Sequence, residues 1–103
     1  MKLELSHPYT KDEATARLRA LTDYWDKKHG IRAEWQGSTA RIKGRVKVIS
    51  FEGSFTIDDK RLVADLKVSF GGETIGRPYV ERKLAEYLDP ANTLESLQAR
   101  VPS

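Results

Sequence analysis

The sequence predicts a single α+β domain: one antiparallel sheet of four to five strands, two main helices on one face in the order βαββββα, and a short C-terminal helix. Three observations carry this reading. Apolar and polar residues alternate with period two in several short segments, an apolar stripe of helical period separates the first such segment from the rest, and Gly, Asp and Pro punctuate the boundaries. A chain of 103 residues has room for one core, and 39% apolar against 32% charged residues is a globular balance.

Taken in order, Lys2, Leu3, Glu4, Leu5 and Ser6 alternate, which sets both leucines on one side of a first strand. Pro8 interrupts it, and Thr10-Lys11-Asp12-Glu13 has the spacing by which a hydroxyl and a carboxylate satisfy each other's backbone amides at a helix start. Ala14, Leu18, Leu21 and Trp25 recur at steps of four, three and four. Gly30 follows the basic turn Lys27-Lys28-His29, so a helix over 11–29 is predicted. Ile31 to Gln36 alternates again, Gly37-Ser38 offers a turn, and Ala40, Ile42, Gly44, Val46 and Val48 share the inner side of the next strand. The stretch from Val46 to Phe51 carries no turn chemistry, and the reversal is expected at Gly44-Arg45 or near Ile49-Ser50.

Phe51, Gly53, Phe55 and Ile57 face one way on the following strand, and Asp58-Asp59-Lys60 turns it. Leu62, Ala64, Leu66, Val68 and Phe70 then form the longest clean alternation in the chain. Gly71-Gly72 ends the sheet, and Pro78 suits the first turn of a second helix over 77–88, which carries Val80, Leu84, Tyr87 and Leu88 before Asp89-Pro90 stops it. This closes an α+β domain over residues 1–90. In the tail, residues 91–103, Asn92-Thr93-Leu94-Glu95 repeats the cap spacing, and Leu94, Leu97 and Val101 form a candidate interaction stripe on a short docking helix. That stripe is expected to dock beside the second helix or to make a homodimer contact.

Chemistry is sparse. Cysteine is absent, so thiol-based metal, cluster and redox sites are excluded. The two histidines, His7 and His29, flank the first helix at opposite ends in no ligand spacing, and no cofactor or metal is expected. His7 reads as a hydrogen bonder at a strand end, and His29 as part of a basic helix terminus. No nucleophile elbow and no phosphate-cradling glycine loop appears, and no catalytic residue is assigned. Neither a signal-peptide-like stretch nor a spanning-length apolar run is found, so a cytoplasmic protein without a membrane span is expected.

The organised charge feature is Arg41, Lys43, Arg45 and Lys47, which period two places together on the sheet face opposite Ile42, Val46 and Val48. They form a candidate binding surface. Glu34, Glu52 and Asp65 on adjacent strands are expected to neutralise it by cross-strand pairing, and a net charge of +3 is modest, so nucleic acid is not the favoured partner.

The segments SHPYTKDEATARL, GIRAEWQGSTARIKG, FEGSFTIDDKRLVADLKVSF and VERKLAEYLDP resemble the small polyhydroxyalkanoic acid system proteins, over residues 3–90. Members are encoded near genes for bacterial polyhydroxyalkanoate storage granules, so the resemblance implies a granule or granule-associated protein as partner and carries no catalytic residues. The chain departs from the pattern at Gly71-Gly72-Glu73-Thr74 and in the tail. The expected function is that of a non-catalytic accessory or binding protein. The alternatives are a small-ligand carrier or enzyme with a pocket between sheet and helices, and a weak nucleic-acid binder using the basic stripe.

Overall fold

A computed structural model describes residues 1–69 and 71–102, and of Glu73 the backbone alone. The elements are β1 (Lys2–Ser6), α1 (Lys11–His29), β2 (Arg32–Gln36), β3 (Thr39–Val46), β4 (Ile49–Asp58), β5 (Arg61–Val68), α2 (Gly72–Leu88) and α3 (Leu94–Gln98). The strands form one antiparallel sheet in the order β1-β5-β4-β3-β2. This is the predicted α+β architecture, with the helices on one face.

Register explains the core. Leu3 pairs with Ala64, Ala64 with Phe55 and Phe55 with Ala40, so one row of inward side chains crosses four strands. Period two then puts Ile42, Ile57, Leu62 and Leu66 on the same side. Against them lie Leu18, Leu21 and Trp25 of α1 and Val80, Leu84, Tyr87 and Leu88 of α2, all buried. The small residues serve close approach. Gly53 lies opposite Ile42 and Leu66, and a Cβ there would stand 2.2 Å from the Asp65 carbonyl oxygen and 2.8 Å from the Leu66 Cα.

Helix α1 begins as its sequence dictates. The Thr10 hydroxyl accepts from the Glu13 N–H at 3.2 Å, and the Glu13 carboxylate accepts from the Thr10 N–H at 3.4 Å. It ends at Gly30, whose φ of 70° suits a residue without a Cβ. Trp25 donates its indole N–H to the Tyr79 hydroxyl at 3.1 Å, and Trp35 donates to the Thr22 hydroxyl at 3.1 Å. These bonds remove the cost of burying the indole N–H groups.

Several expectations are corrected. The β3–β4 reversal lies at Lys47-Val48, between the two positions considered, with Lys47 at φ 56°. Val46 pairs with Ile49, so the strands run to the loop, and Gly44-Arg45 stays within β3. Helix α2 starts at Gly72, five residues before the expected start, with Pro78 in its interior. Gly71 caps it at φ 70°, and Pro78 costs the helix the amide that would bind the Thr74 carbonyl. The α3 cap is Thr93, whose hydroxyl accepts from the Ser96 N–H at 3.1 Å. Asn92 instead donates its side-chain amide to the Glu86 carbonyl at 2.9 Å. Phe70, expected to end the longest alternation, and Ser103 lie outside the described residues.

Helix α3 packs mainly against α1, with the tail reaching only the end of α2. Leu97 is fully buried, and Leu94 and Val101 are half-buried. The tail is also tied to the last turn of α2, where Arg100 donates to Glu86 and to Asn92.

Candidate interaction surface

Strands β2 to β5 turn their polar side chains away from the helices. Across this outer face the register sets Glu34 opposite Arg41, Arg32 opposite Lys43, and Lys43 opposite Glu52, which faces Lys67 on its other side. Asp65 lies between Ser54 and Lys2. Apart from Lys2, these side chains line a shallow concavity of about 580 Å³. A second, of about 400 Å³, lies towards the β3–β4 hairpin and includes Lys43, Ser50, Glu52 and Lys67. Both are open surface features, while the sheet–helix interface holds the solid core described above.

Arg41, Lys43 and Arg45 occupy alternate outward positions of β3, as period two requires. Lys47 does not continue the stripe: it has left the strand and stands in the hairpin loop. Glu34 and Glu52 lie directly opposite basic residues, yet among the described residues no carboxylate comes within 4.0 Å of Arg41, Lys43, Arg45 or Lys47. The face is therefore balanced through solvent, and its cations stay available to an outside anion. Val48, expected on the inner side of a strand, is 68% exposed at the hairpin tip.

The buried polar groups are structural. His7 is 6% exposed; its Nδ1 accepts the Tyr9 N–H at 3.2 Å, which leaves the proton on Nε2 for the Asp58 carbonyl at 3.1 Å. Arg17, 8% exposed on α1, donates from Nη1 to the carbonyls of Tyr87 at 3.1 Å and Asp89 at 3.2 Å. Its guanidinium lies 4.2 Å from the centre of the Tyr9 ring. A cation thus meets the negative end of α2. Its signal was present in the sequence, since Arg17 falls between Ala14 and Leu21 on the apolar stripe of α1.

Burial pushes the Tyr87 hydroxyl up to about 12, with the Glu86 carboxylate adding to it, and that hydroxyl, like the Tyr9 hydroxyl, has no hydrogen-bond partner among the described residues. His29 lies below the usual histidine range because of burial first and the nearby Lys28 and Lys83 charges second. Among the described residues no three His, Asp or Glu side chains converge, and no helix is long and apolar enough to cross a membrane.

An antiparallel sheet backed on one face by helices, with a charged outer face, defines a small α+β domain that presents a sheet surface. The chain belongs to the family described as "Putative polyhydroxyalkanoic acid system protein", whose model matches residues 1–91. No curated protein and no solved structure matches the chain.

Proposed function

We propose that this chain is a non-catalytic accessory protein of the cytoplasmic polyhydroxyalkanoate storage granule, acting through the surface of its sheet. The observation that carries this reading is the solid helix–sheet interface. Leu18, Leu21, Ile42, Phe55, Leu84 and Tyr87 are all essentially inaccessible, so the space that a carrier or enzyme of this architecture would devote to a ligand is filled by side chains. Membership of a family described as a polyhydroxyalkanoic acid system protein supports the granule as the setting. The surface assigned to the role is the outer face of β3, with Arg41, Lys43 and Arg45, together with Lys47 at its end.

The test is fractionation. Cells accumulating polymer are lysed gently, granules are floated on a density gradient, and the protein is followed by immunoblot. Enrichment with the granule band is expected. Recovery of all of it in the soluble fraction, under conditions that retain known granule proteins, would overturn the reading.

A further inference from the structure

Two large apolar side chains are exposed among the described residues, Val48 at 68% and Ile75 at 71%. They belong to one end of the molecule. Val48 is followed by Ile49 in the β3–β4 hairpin, and the first turn of α2 rests on that hairpin. A Cβ on Gly72 would stand 2.7 Å from Ile49 Cγ2 and 2.6 Å from Val68 Cγ1. Ile75 is three residues on from Gly72, on the same helix face. Behind this pair, Val46 and Phe51 are half-buried and continuous with the core. The result is an apolar edge with two projecting aliphatic side chains.

The loop that carries Val48 is unusual on physical grounds. A two-residue hairpin loop is most easily made by Asn-Gly or Gly-containing pairs, which accept positive φ and expose no hydrocarbon. Here Lys47 takes φ 56°, and a β-branched valine is left in water. Both choices cost stability locally, and among the described residues no side-chain hydrogen bond or ion pair of Lys47 offsets it, which is the pattern expected where an outside surface does.

Charge identifies that surface. Residues 41–51 carry Arg41, Lys43, Arg45 and Lys47 and no carboxylate. Arg45 lies opposite Ser50 rather than an acid, and Lys47 flanks Val48 directly. Glu73 is the acid that the sequence adds on the facing helical turn. Aliphatic tips beside cations that have no ion pair among the described residues match a boundary that is apolar within and anionic at its rim.

We propose that the Lys47-Val48 loop and the first turn of α2 form an insertion edge for an anionic lipid interface, with Val48 and Ile75 entering the apolar layer while Arg45 and Lys47 meet its headgroups. The proposal rests on the granule reading only for the cellular surface involved, and the edge is testable without granules. Purified protein is sedimented with vesicles of phosphatidylglycerol and phosphatidylcholine in equal amounts, with pure phosphatidylcholine vesicles in parallel. Binding is expected to the anionic vesicles, falling with salt. Val48→Asp with Ile75→Asp is expected to lower partitioning by at least about tenfold, and Arg45→Glu with Lys47→Glu by about tenfold or more. All four positions are exposed, so thermal unfolding should stay near that of the parent. A Val48→Trp variant gives a positive readout, a blue shift of emission on adding anionic vesicles.

Vesicle binding that is absent, or equal in parent and Asp variants, overturns the edge. So does a concentration-dependent dimer abolished by Val48→Asp, which would make the occupant a second copy. Failure to float with granules, while vesicle binding and its loss in the variants hold, overturns the granule reading and leaves the edge. Granule association retained by both double variants overturns the edge and leaves the granule reading.

Discussion

Replacing Arg17 by Met tests how the end of α2 is held. Methionine keeps most of the apolar stem and removes the two hydrogen bonds to the Tyr87 and Asp89 carbonyls and the contact with the Tyr9 ring. A hydrogen bond from a charged donor contributes about 1.5–3 kcal/mol net, and a partly desolvated cation–ring contact about 1 kcal/mol. Opposing them is the cost of taking a guanidinium out of water, which reaches several kcal/mol for a fully buried ion without a carboxylate partner. Arg17 escapes the full cost, because neither Nε nor Nη2 is among the buried atoms without a partner. The favourable terms therefore win, and Arg17→Met is expected to lose about 2 kcal/mol, with Arg17→Lys losing about half as much. For a domain of this size that is a fall in Tm of roughly 10 °C. Urea unfolding followed by circular dichroism, with an unchanged slope, measures it. A Met variant as stable as the parent would refute the argument: desolvation would then cancel the bonds, and the apolar contacts of Leu84, Tyr87 and Leu88 would suffice to hold the helix end.

The Tyr87 hydroxyl is buried without a partner among the described residues, so Tyr87→Phe is expected to stabilise the fold by about 1 kcal/mol; a loss of stability would mean that the hydroxyl has a partner in solution. The raised Tyr87 value gives a pH dependence as well. The folded state holds the phenol proton more tightly, so this contribution is complete below the ordinary tyrosine value near 10 and is lost as the pH rises through about 12. An alkaline unfolding series should show the steeper fall in the parent and a shallower one in Tyr87→Phe. Gly53→Ala would place a methyl group 2.2 Å from a backbone oxygen of the neighbouring strand, and a loss of about 3 kcal/mol is expected by urea unfolding. A variant within experimental error of the parent would show that β4 and β5 separate there at little cost.

What the sequence revealed and what it hid follow from the range of the forces involved. The Thr10-Glu13 capping box, the Gly30 stop and the alternation in β5 are local rules, satisfied within a few residues, and all are present in the structure. The Lys47-Val48 reversal was hidden because the loop uses neither Gly nor Asn, and register with β4 decides its place through Val46 and Ile49. Helix α2 begins early because Gly72 fits under Ile49 and Val68, a tertiary contact that outweighs the usual preference for Pro at a helix start. Arg17 lay on the apolar stripe in plain view, but its carbonyl partners are about seventy residues away. Of the candidate surface, the alternation placed Arg41, Lys43 and Arg45 on one face, whereas the exposure of Val48 and Ile75 depends on where the chain turns.

The pairing of β1 with β5 bears on the order in which the molecule assembles. Strands β2 to β5 form a meander in which each pairs with its neighbour in sequence, so closing each hairpin constrains only a short loop. Leu3 meets Ala64 only after the whole meander and α1 have been threaded between them. Contacts of such separation form late and slow the search. During synthesis β1 emerges before β5 and must wait for it to leave the ribosome, and until the two pair β5 would stand as an open edge. Arg61, Asp65 and Lys67 alternate along that edge, and such charges disfavour its capture by a β5 of another chain. Strand β1, made before the meander, thus acts as the final cover of its β5 edge.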